Sequence, residues 1–403
     1  MEIPAPAQLI RRFHELPAAG PLLERVGERT GVYLVGGAVR DLLLGGTPSE
    51  LDLVVEGDAT ELASSLGVPS RRHERFGTVT LLIDGFAYDV AMARRERYPH
   101  PGALPEVSPA PLREDLKRRD FSLNAIALAL GGAGAGEVQS FPGALEDLEA
   151  GVLRVLHEGS FVDDPTRLMR LIRYRTRFGF DVEAQTAEQA RSAVSSGALE
   201  TVSGPRIGAE LRLLAAEPEP VAAIAGLNEY AIDRAIAPGF GLADPELARR
   251  ALELLPEDGS RGMLVLAVAT LDVDDDARAE LADRLGFSAS ERNSIVAAAA
   301  QAHGTAAALE SAASASEIAQ AVAGAGVELV ALAGALGPAG AAREWLERLR
   351  HVGLEIDGED LLAAGLAPGP AVGRGLRAAL AAKLDGKLSG REQELAEALR
   401  AAR

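Results

Sequence analysis

The sequence predicts an α+β protein in which a small head of strands and helices is followed by an all-helical remainder. Three observations predict this class. Roughly the first 130 residues alternate short apolar runs with helical spacing of apolar side chains. From about residue 163 onward the chain is rich in Ala, Leu, Glu and Arg at helical spacing. Short Gly, Pro and Asp turns separate these later segments, as is typical of packed helices.

The elements of the head are predicted by their apolar patterns and by the turns between them. Four strands are expected, at Val32–Val35, Leu51–Val55, Thr78–Ile83 and Ala87–Ala93. Two helices are expected, at Ala38–Leu44, which Gly45 and Gly46 end, and at Asp120–Leu130. Five prolines make residues 99–111 a predicted loop, and the glycines of residues 131–136 make a turn.

Composition limits the class of protein. With 403 residues, 47% of them hydrophobic, the chain is long enough for roughly two to four domains with sizeable cores. It has no cysteine, so disulfides and thiolate metal sites are excluded. The first 20 residues lack the apolar core of a signal peptide, and no apolar run is long enough for a membrane span. We therefore expect a soluble cytoplasmic protein without a membrane partner, whose oligomeric state the sequence leaves open.

The charge of the chain is strongly negative, with a net charge of −18. Such a charge opposes nucleic-acid binding at first sight, because contacts to phosphate need Lys or Arg. Positive charge is concentrated, however, in three local clusters: Arg94–Arg97, Lys117–Arg119 and Arg167–Arg177. An acidic protein can bind RNA through clusters of this kind, although its overall field does not assist the encounter.

A double glycine lies between the first predicted strand and the helix that follows. Gly36 and Gly37 have no Cβ, so a phosphate can approach their backbone, and the start of the helix offers free N–H groups. Arg40, in the first helical turn, can add a charged fork to the same anion. The alternative is a tight turn with a purely structural role.

Three acids lie within or beside apolar strands of the head. Glu50 and Asp52 are two residues apart, which puts both on one face if the strand includes them. Asp89 is a third acid on a neighbouring apolar strand. Buried acids repel each other unless a hard cation with oxygen ligands, such as Mg²⁺, lies between them. The alternatives are that Glu50 lies in a solvated turn, that Asp52 caps a neighbouring group and that Asp89 is a partnered structural acid.

These features together fit phosphoryl transfer, in which an RNA 3′-hydroxyl attacks the α-phosphate of a nucleoside triphosphate. The segments VGGAVRDLLLG and ELDLVVEGDA resemble the head of the class II tRNA nucleotidyltransferase and bacterial poly(A) polymerase family. The resemblance implies a polymerase-β-like head, Mg²⁺ held by Glu50 and Asp52, and catalysis that also involves Asp89. The family usually has Asp-x-Asp, so Glu50 is a departure that lengthens one ligand by a methylene.

A second cluster contains Arg119 and Asp120, beside a basic run. Asp120 can accept a hydrogen bond from a ribose hydroxyl, and Arg119 can bind phosphate or position the acid. The alternative is a helix cap next to exposed basic residues. The segment is similar to the family's Arg-Arg-Asp-Phe-Thr motif, with Ser122 in place of Thr, and the resemblance implies ribose recognition.

A third cluster begins a helix, with Asp164 as its cap, Pro165 at its first position and arginines at Arg167, Arg170 and Arg173. A capped helix with a solvated basic face is one interpretation. The other uses hydrogen bonding, because a carboxylate and a guanidinium together match the amino group and ring nitrogen that cytosine and adenine share. The resemblance assigns this base-selecting pair to Asp164 and Arg167, and places Arg170 and Arg173 near the triphosphate.

The resemblance extends to residues 71–107, residues 151–180 and the tail segment IDGEDLLAAGLAPGPAVGRGLRAAL. It implies a catalytic head at 1–150, a base-selecting helical neck at 151–220 and a tRNA-binding body and tail at 221–403. The expected partners are the tRNA 3′ end, CTP and ATP. We expect addition of CCA, with A-only or CC-only addition, poly(A) synthesis on general RNA and a non-catalytic RNA-binding protein as alternatives.

Overall fold

The computed structural model of the chain describes residues 6–73 and 77–403. It consists of two compact units, the first comprising Met1–Ser203 with Tyr230–Ala235 and the second comprising Gly204–Glu229 with Ile236–Arg403. The chain start, where no signal peptide is expected, and Glu74 to Phe76 of the resembling segment 71–107 lie outside the described residues. The three-part division at residues 150 and 220 stays a prediction.

The first unit contains a mixed seven-stranded sheet, which confirms the α+β class. Its strands lie in the order β3-β4-β5-β2-β1-β8-β9, and all pairs are antiparallel except β2 with β5. The strands of this unit are β1 Val32–Val35, β2 Asp52–Val55, β3 Ser70–His73, β4 Thr78–Ile83, β5 Phe86–Met92, β6 Arg94–Arg97, β7 Glu106–Pro109, β8 Ile126–Ala129, β9 Val138–Ser140, β10 Val152–Leu153 and β11 Asp181–Val182.

Helices surround this sheet and continue beyond it. Those of the first unit are α1 Pro6–His14, α2 Ala19–Val26, α3 Gly37–Leu43, α4 Ala59–Leu66, α5 Leu112–Lys117, α6 Ala144–Ala150, α7 Ser160–Asp163, α8 Thr166–Phe178 and α9 Ala184–Ser195, with 3₁₀ helices at Ser122–Asn124 and Ala198–Thr201. One face of the sheet packs on α5, where Leu112 and Leu116 join Tyr33, Val54 and Ala127 in a buried apolar cluster.

The predicted helix at Asp120–Leu130 is wrong. Only Ser122–Asn124 forms a short 3₁₀ helix, and the chain then enters β8, which pairs with β1 on one side and β9 on the other. Every side chain of Ile126–Ala129 is buried. An apolar run that is buried on both faces has no alternation, so its periodicity does not separate a central strand from a helix.

The predicted loop at residues 99–111 is wrong in part, because Glu106–Pro109 forms β7. This strand pairs with β6 as an antiparallel two-stranded sheet, with Arg94 opposite Pro109 and Arg97 opposite Glu106. Proline is tolerated at the end of such an edge strand, because no partner needs its missing N–H group there. The helical remainder after residue 163 likewise contains one exception, the two-residue strand β11, which pairs with β10.

The second unit is built from helices. They are α10 Gly204–Ala215, α11 Pro220–Ala225, α12 Ile232–Ile236 at the unit boundary, α13 Pro245–Leu254, α14 Arg261–Ala269, α15 Asp275–Arg284, α16 Ala289–Ser311, α17 Ala315–Ala321, α18 Val327–Ala335, α19 Ala339–Glu347, α20 Gly358–Ala363, α21 Pro370–Leu384 and α22 Arg391–Ala402, with 3₁₀ helices at Gly226–Tyr230 and Leu349–His351. Reciprocal capping boxes begin α16, through Ser288 and Glu291, and α20, through Asp357 and Asp360.

The last three helices form a separate apolar cluster around Ile356, Leu361, Ala379 and Ala398. Small residues allow α21 and α22 to approach closely, since a Cβ on Gly375 would lie 2.4 Å from the carbonyl oxygen of Ala398. Within the part of the chain that the structure describes, no helix combines the length and the apolar character that crossing a bilayer requires.

Two helical glycines of the second unit should respond oppositely to alanine. A Cβ at Gly208 of α10 would lie 1.9 Å from the carbonyl oxygen of Leu285, whereas Gly304 of α16 has nothing within 4 Å. Gly208→Ala should therefore lower the free energy of unfolding by about 1–3 kcal/mol through overpacking. Gly304→Ala should raise it by about 0.5–1 kcal/mol, because alanine loses less backbone entropy in a helix. Denaturant unfolding of both variants measures the difference, and shifts of equal sign would contradict the packing of α10.

Candidate active site

The predicted site elements meet at one edge of the seven-stranded sheet. β1 ends where β2 begins, because the two strands are antiparallel with Leu34 opposite Leu53. β8 begins at the same edge, and the N–H of Gly36 donates to the carbonyl oxygen of Ile126 at 3.1 Å. The double glycine, Asp52 and the segment that leads into β8 are therefore neighbours in space.

Asp52 and Asp89 occupy directly paired positions on adjacent parallel strands. Neighbouring strands lie about 4.8 Å apart and paired residues share a face, so the two carboxylates stand side by side. Both residues are exposed. Asp89 accepts a hydrogen bond of 2.6 Å from the hydroxyl of Thr80, which fixes one of its oxygens. The structure thus gives Asp89 both a neighbouring acid and a structural partner.

Glu50 lies in an exposed bend before the strand, since β2 begins at Asp52. The expectation that Glu50 and Asp52 share one face of a strand therefore does not hold for Glu50. Its charge still acts on Asp52. The pKa of Asp52 is raised above its ordinary value, first because packed protein atoms remove part of its hydration and then through the charges of Glu50 and Asp89. Arg119 opposes this shift.

The oxygens of these acids are suitable ligands for one hard cation. Carboxylate oxygens are the donors that Mg²⁺ prefers, and a cation would relieve the repulsion that raises the pKa of Asp52. In residues 6–73 and 77–403, however, no three His, Cys, Asp or Glu side chains are grouped so that they could hold a metal ion by themselves. The site therefore offers part of a coordination shell, to be completed by oxygens from outside the protein.

Arg119 lies directly over the double glycine. Its Nη1 atom is 2.9 Å from the point that a Cβ on Gly36 would occupy, and Gly36 has a φ of +63°, which an L side chain rarely adopts. The guanidinium donates to Asp115 and to the carbonyl oxygen of Asn124. Glycine is needed at position 36 for both reasons, and its absent side chain lets the cation approach the turn.

The side chain of Arg40 is buried and makes its hydrogen bonds inside the protein. It is 4% exposed and donates to the side chains of Asn124, at 2.7 Å, and Asp41. Its guanidinium also lies 4.6 Å from the ring centre of Phe178, in α8. These contacts connect α3 to α8 by hydrogen bonding and a cation–π interaction.

Asp120 is buried and accepts hydrogen bonds on both oxygens. One oxygen accepts from the backbone of Phe121 and the side chain of Asn124, and the other accepts from Arg170 at 2.9 and 2.5 Å. Burial alone would raise its pKa, but Arg170, Asn124 and the nearby charge of Arg167 hold it well below the ordinary value. Asp120 is therefore ionised, and it joins the segment before β8 to α8.

Asp164 and Arg167 lie at the start of α8. Asp164 accepts from the amide and hydroxyl groups of Thr166, at 3.1 and 2.6 Å. Arg167 is 5% exposed and is held at both ends of its fork, because Nη1 donates to the hydroxyl of Ser160 at 2.7 Å and Nη2 to the carbonyl oxygen of Arg118 at 2.8 Å. The arginine of the predicted base-selecting pair is thus rigidly placed.

The interpretation of α8 as a helix with a solvated basic face is wrong. Arg167 and Arg173 are buried, and Arg170 is intermediate in exposure. Arg173 lies 4.9 Å from the ring centre of Tyr174, whose hydroxyl accepts from Arg170. Buried arginines require hydrogen-bond partners and counter-charges, so this helix face belongs to the interior of the first unit.

Sequence reasoning did not identify several residues that contact the predicted site. They are Glu96, Tyr98, Asp115, Asn124 and Ser160. Asp115 carried a usable signal, because it precedes Arg118 and Arg119 by three and four residues, the helical spacing for ion pairs. Glu96 lies in β6 and Tyr98 follows it, whereas Asn124 ends the 3₁₀ helix after Asp120 and Ser160 begins α7. No local pattern indicates their contacts.

Residues 32–154 match the Poly A polymerase head domain. The chain is 42% identical over 217 residues to an A-adding tRNA nucleotidyltransferase of Geobacter sulfurreducens, a match that covers 53% of this chain and 25% of that protein. The chain thus spans about a quarter of the length of that relative. It is also 37% identical over 364 residues to a CC-adding tRNA nucleotidyltransferase of Deinococcus radiodurans, covering 88% of this chain and 85% of the relative.

Solved structures resemble the whole chain. A Thermotoga maritima CCA-adding enzyme complexed with tRNA has a TM-score of 0.82 and 30% identity, with full coverage of both chains. Complexes of CCA-adding enzymes with CTP and with ATP have TM-scores of 0.82 and 0.83 at 30% and 29% identity, and both cover at least 99% of each chain. The match therefore includes the helical second half of the chain.

Neutralising Asp52 should stabilise the folded protein. Because its pKa is raised on folding, the native state binds a proton more tightly than the unfolded state. Stability is therefore lost as pH rises from about 4, the ordinary pKa of Asp, through the raised pKa. At pH 7 without divalent ions, Asp52→Asn should increase the free energy of unfolding by about 0.5–1 kcal/mol, a range typical of exposed charge interactions.

Thermal unfolding between pH 3 and pH 8 measures this effect, with Glu24→Gln, an exposed acid of α2, as the matched control. The gain should disappear below about pH 4, where both wild type and variant carry a neutral group. A variant less stable than wild type at neutral pH would contradict repulsion among the three acids.

Proposed function

Since the chain belongs to the tRNA nucleotidyltransferase family, we propose that it extends the 3′ end of tRNA with C and A, using CTP and ATP and releasing pyrophosphate. The observation that carries this proposal is the pairing of Asp52 with Asp89 beside Gly36 and Arg119. Acids on one face of a sheet and an arginine over a neighbouring glycine turn are groups that phosphoryl transfer needs. A cytoplasmic location stays a prediction.

In this proposal, Glu50 and Asp52 hold the metal, and Mg²⁺ is the ion that their oxygen donors fit. When bound, such an ion lowers the pKa of a hydroxyl nucleophile and neutralises charge on the phosphates. Asp89, fixed by Thr80, adds negative charge beside Asp52 and so strengthens the site's preference for a cation. The triphosphate supplies the further oxygens that the protein's own acids do not.

Arg119 and the double glycine orient the triphosphate. Gly36 is buried beneath the guanidinium of Arg119, because its missing side chain leaves room for this group. The guanidinium supplies N–H donors for a phosphate oxygen, and Gly37 beside it is partly exposed. The 3′-hydroxyl oxygen of the RNA then attacks the α-phosphorus, the bond to the bridging oxygen breaks, and pyrophosphate leaves. Asp120 is the proposed partner of the ribose. The placement of Arg40 beside the phosphate and of Arg170 and Arg173 near the triphosphate stays a prediction, and in the structure the buried Arg40 donates to Asn124 and Asp41.

Base choice is proposed to rest on Asp164 and Arg167. Cytosine and adenine both present an amino donor beside a ring-nitrogen acceptor, which a carboxylate and a guanidinium complement. The fixed position of Arg167 between Ser160 and the Arg118 carbonyl supports this role, because selection requires donors that do not move to suit another base. Uracil and guanine present the opposite pattern and are left with unpaired groups.

Addition of the full CCA end is the first candidate, since the solved enzymes that resemble the whole chain are CCA-adding. Addition of CC alone is the second, because the relative that is similar over 88% of the chain is a CC-adding enzyme. The base-selecting pair accepts both C and A, so the two candidates share one site and differ in when addition stops.

Three tRNA substrates separate these candidates: tRNA lacking CCA, tRNA lacking CA and tRNA lacking only A, each incubated with single NTPs and with mixtures. A full CCA enzyme extends all three, using CTP on the first two and ATP on the third, and leaves UTP and GTP unused. A CC-adding enzyme stops after the second C and does not extend the third substrate.

Two outcomes would contradict CCA addition and CC addition together. Uptake of ATP alone onto tRNA ending in CC, without any use of CTP, would identify an A-adding enzyme. Long A-tails on unstructured RNA would identify a poly(A) polymerase. Asp52→Ala is the control, because it should abolish incorporation while tRNA binding persists, and an active Asp52→Ala variant would rule out the metal site.

Arg167→Ala should relax base choice more than it weakens tRNA binding. The variant loses the donors that distinguish C and A from U and G, and a good bidentate contact to a base edge contributes about 1–3 kcal/mol of discrimination. We expect misincorporation of UTP and GTP to rise relative to CTP, measured as kcat/KM for each nucleotide. Arg154→Ala, which removes an arginine paired with Asp147 and Glu183, is the matched control. Unchanged nucleotide selectivity in Arg167→Ala would contradict the base-selecting pair.

A further inference from the structure

Asp115 is a fully buried acid, with 0% exposure, that the reaction proposed above does not use. It lies on α5, whose neighbouring residues Leu112 and Leu116 are packed against the sheet. The start of this helix is also fixed, because the N–H of Leu112 donates to Glu56 at 2.7 Å. The backbone that carries Asp115 is therefore held firmly by both apolar packing and hydrogen bonding.

The two oxygens of Asp115 bind two different arginines. Oδ1 accepts from Arg118 at 2.9 and 2.7 Å and from the backbone N–H of Arg94 at 3.2 Å. Oδ2 accepts from Arg119 at 3.3 and 3.0 Å. Burial alone would raise the pKa of Asp115, but the charges of Arg119 and Arg118 outweigh it and lower the pKa. The acid is therefore ionised and its charge is divided between the two guanidinium groups.

Arg119, the arginine that Oδ2 of Asp115 binds, faces the predicted reaction centre. Arg119 lies over Gly36, at 2.9 Å from the missing Cβ, and its charge acts on Asp52. An arginine side chain has several rotatable bonds, so its place over the glycine turn depends on what holds it from behind. Here that support is Oδ2 of Asp115, together with the carbonyl oxygen of Asn124 at 3.4 Å.

Arg118, the arginine that Oδ1 of Asp115 binds, connects to the base-selecting residues. Arg118 is held from one side by Asp115 and from the other by Glu96, whose Oε1 accepts at 2.8 Å. The carbonyl oxygen of Arg118 accepts from Arg167 at 2.8 Å. Glu96 in turn accepts from the hydroxyl of Tyr98, which lies near enough to Asp164 and Arg167 to interact with their charges. Fixing Arg118 therefore fixes a group that holds Arg167.

We propose that Asp115 is a positioning residue that sets the place of the triphosphate-binding Arg119 through one oxygen and of the base-selecting Arg167, by way of Arg118, through the other. This inference rests on the proposed function. In this inference, one buried carboxylate couples bond formation to base choice. Glu96 supports the connection to Arg167, by way of Arg118, and not the connection to Arg119. Neither acid touches substrate, and both act through arginines.

The test compares Asp115→Asn, Glu96→Gln and the matched control Asp147→Asn in nucleotide addition to tRNA lacking CCA. Asp147 is also a buried acid that binds an arginine, but its partner Arg154 contacts neither Arg119 nor Arg167 in the described structure. For Asp115→Asn we expect kcat to fall about 10²-fold, the scale of a small misplacement of catalytic groups, while KM for tRNA changes little. Its preference for CTP over UTP should fall as well.

Glu96→Gln should separate the two connections. It weakens the support of Arg118, together with the hydrogen bonds that Arg94 and Tyr98 donate to Glu96. The contact of Asp115 with Arg119 stays in place, so we expect a reduced preference for CTP over UTP with kcat within a few fold of wild type. Asp147→Asn should leave both kcat and nucleotide preference unchanged, even where thermal unfolding shows a loss of stability like that of Asp115→Asn.

Folded Asp115→Asn protein with wild-type kcat and wild-type preference would overturn the inference. So would a pattern in which Asp115→Asn and Asp147→Asn lose activity equally with no change of preference, since this indicates a loss of stability alone. Where Asp115→Asn does not fold, Glu96→Gln decides, and an unchanged preference in that variant overturns the connection to Arg167. Failure of the wild type to add any nucleotide to tRNA contradicts the proposed function itself, and so differs from all of these results.

Discussion

Backbone pairing between β2 and β5 holds two like charges side by side, and the site depends on this constraint. The two like charges repel each other, and the charge of Asp89 raises the pKa of Asp52. The strands remain paired because the following residues, such as Leu53 and Val90, are buried on the interior of the sheet. Apolar burial thus maintains a local repulsion, which makes the edge of the sheet a place where a cation binds favourably.

Pairing between arginines and carboxylates is the second feature that the site depends on, and it reconciles an acidic chain with the polyanionic substrate proposed for it. The net charge of −18 does not describe the site, where Arg40, Arg119, Arg167 and Arg173 are all largely buried. Internal acids such as Asp115 and Asp120 lie against these arginines and are ionised there. Part of the negative charge therefore serves to orient guanidinium groups, and removal of one partner would leave a buried charge without compensation.

The sequence predicts those parts of the fold in which local pattern and burial agree. β1 and β4 lie where apolar runs predict them, and the glycine turn follows β1 because a strand must end before α3 begins. β8 was interpreted as a helix because a strand buried on both faces has no alternation to reveal it. Hydrogen-bond partners that come from distant segments, such as the carbonyl oxygen of Arg118 for Arg167, depend on tertiary packing and leave no local signal. The residue types of the site were therefore predictable, but the contacts that fix them were not.

Base selection without a nucleic-acid template places a strict demand on rigidity. A mobile guanidinium can reorient to suit several bases, and the free energy that separates a correct from an incorrect base is then lost. Arg167 avoids this because two of its nitrogens already donate to fixed acceptors, one at the start of α7 and one in the segment before β8. That second segment also carries Arg119, which lies over the glycine turn. The groups proposed to choose the nucleotide and to place its phosphates thus share one short stretch of chain, so we expect a shift that disturbs one to disturb the other.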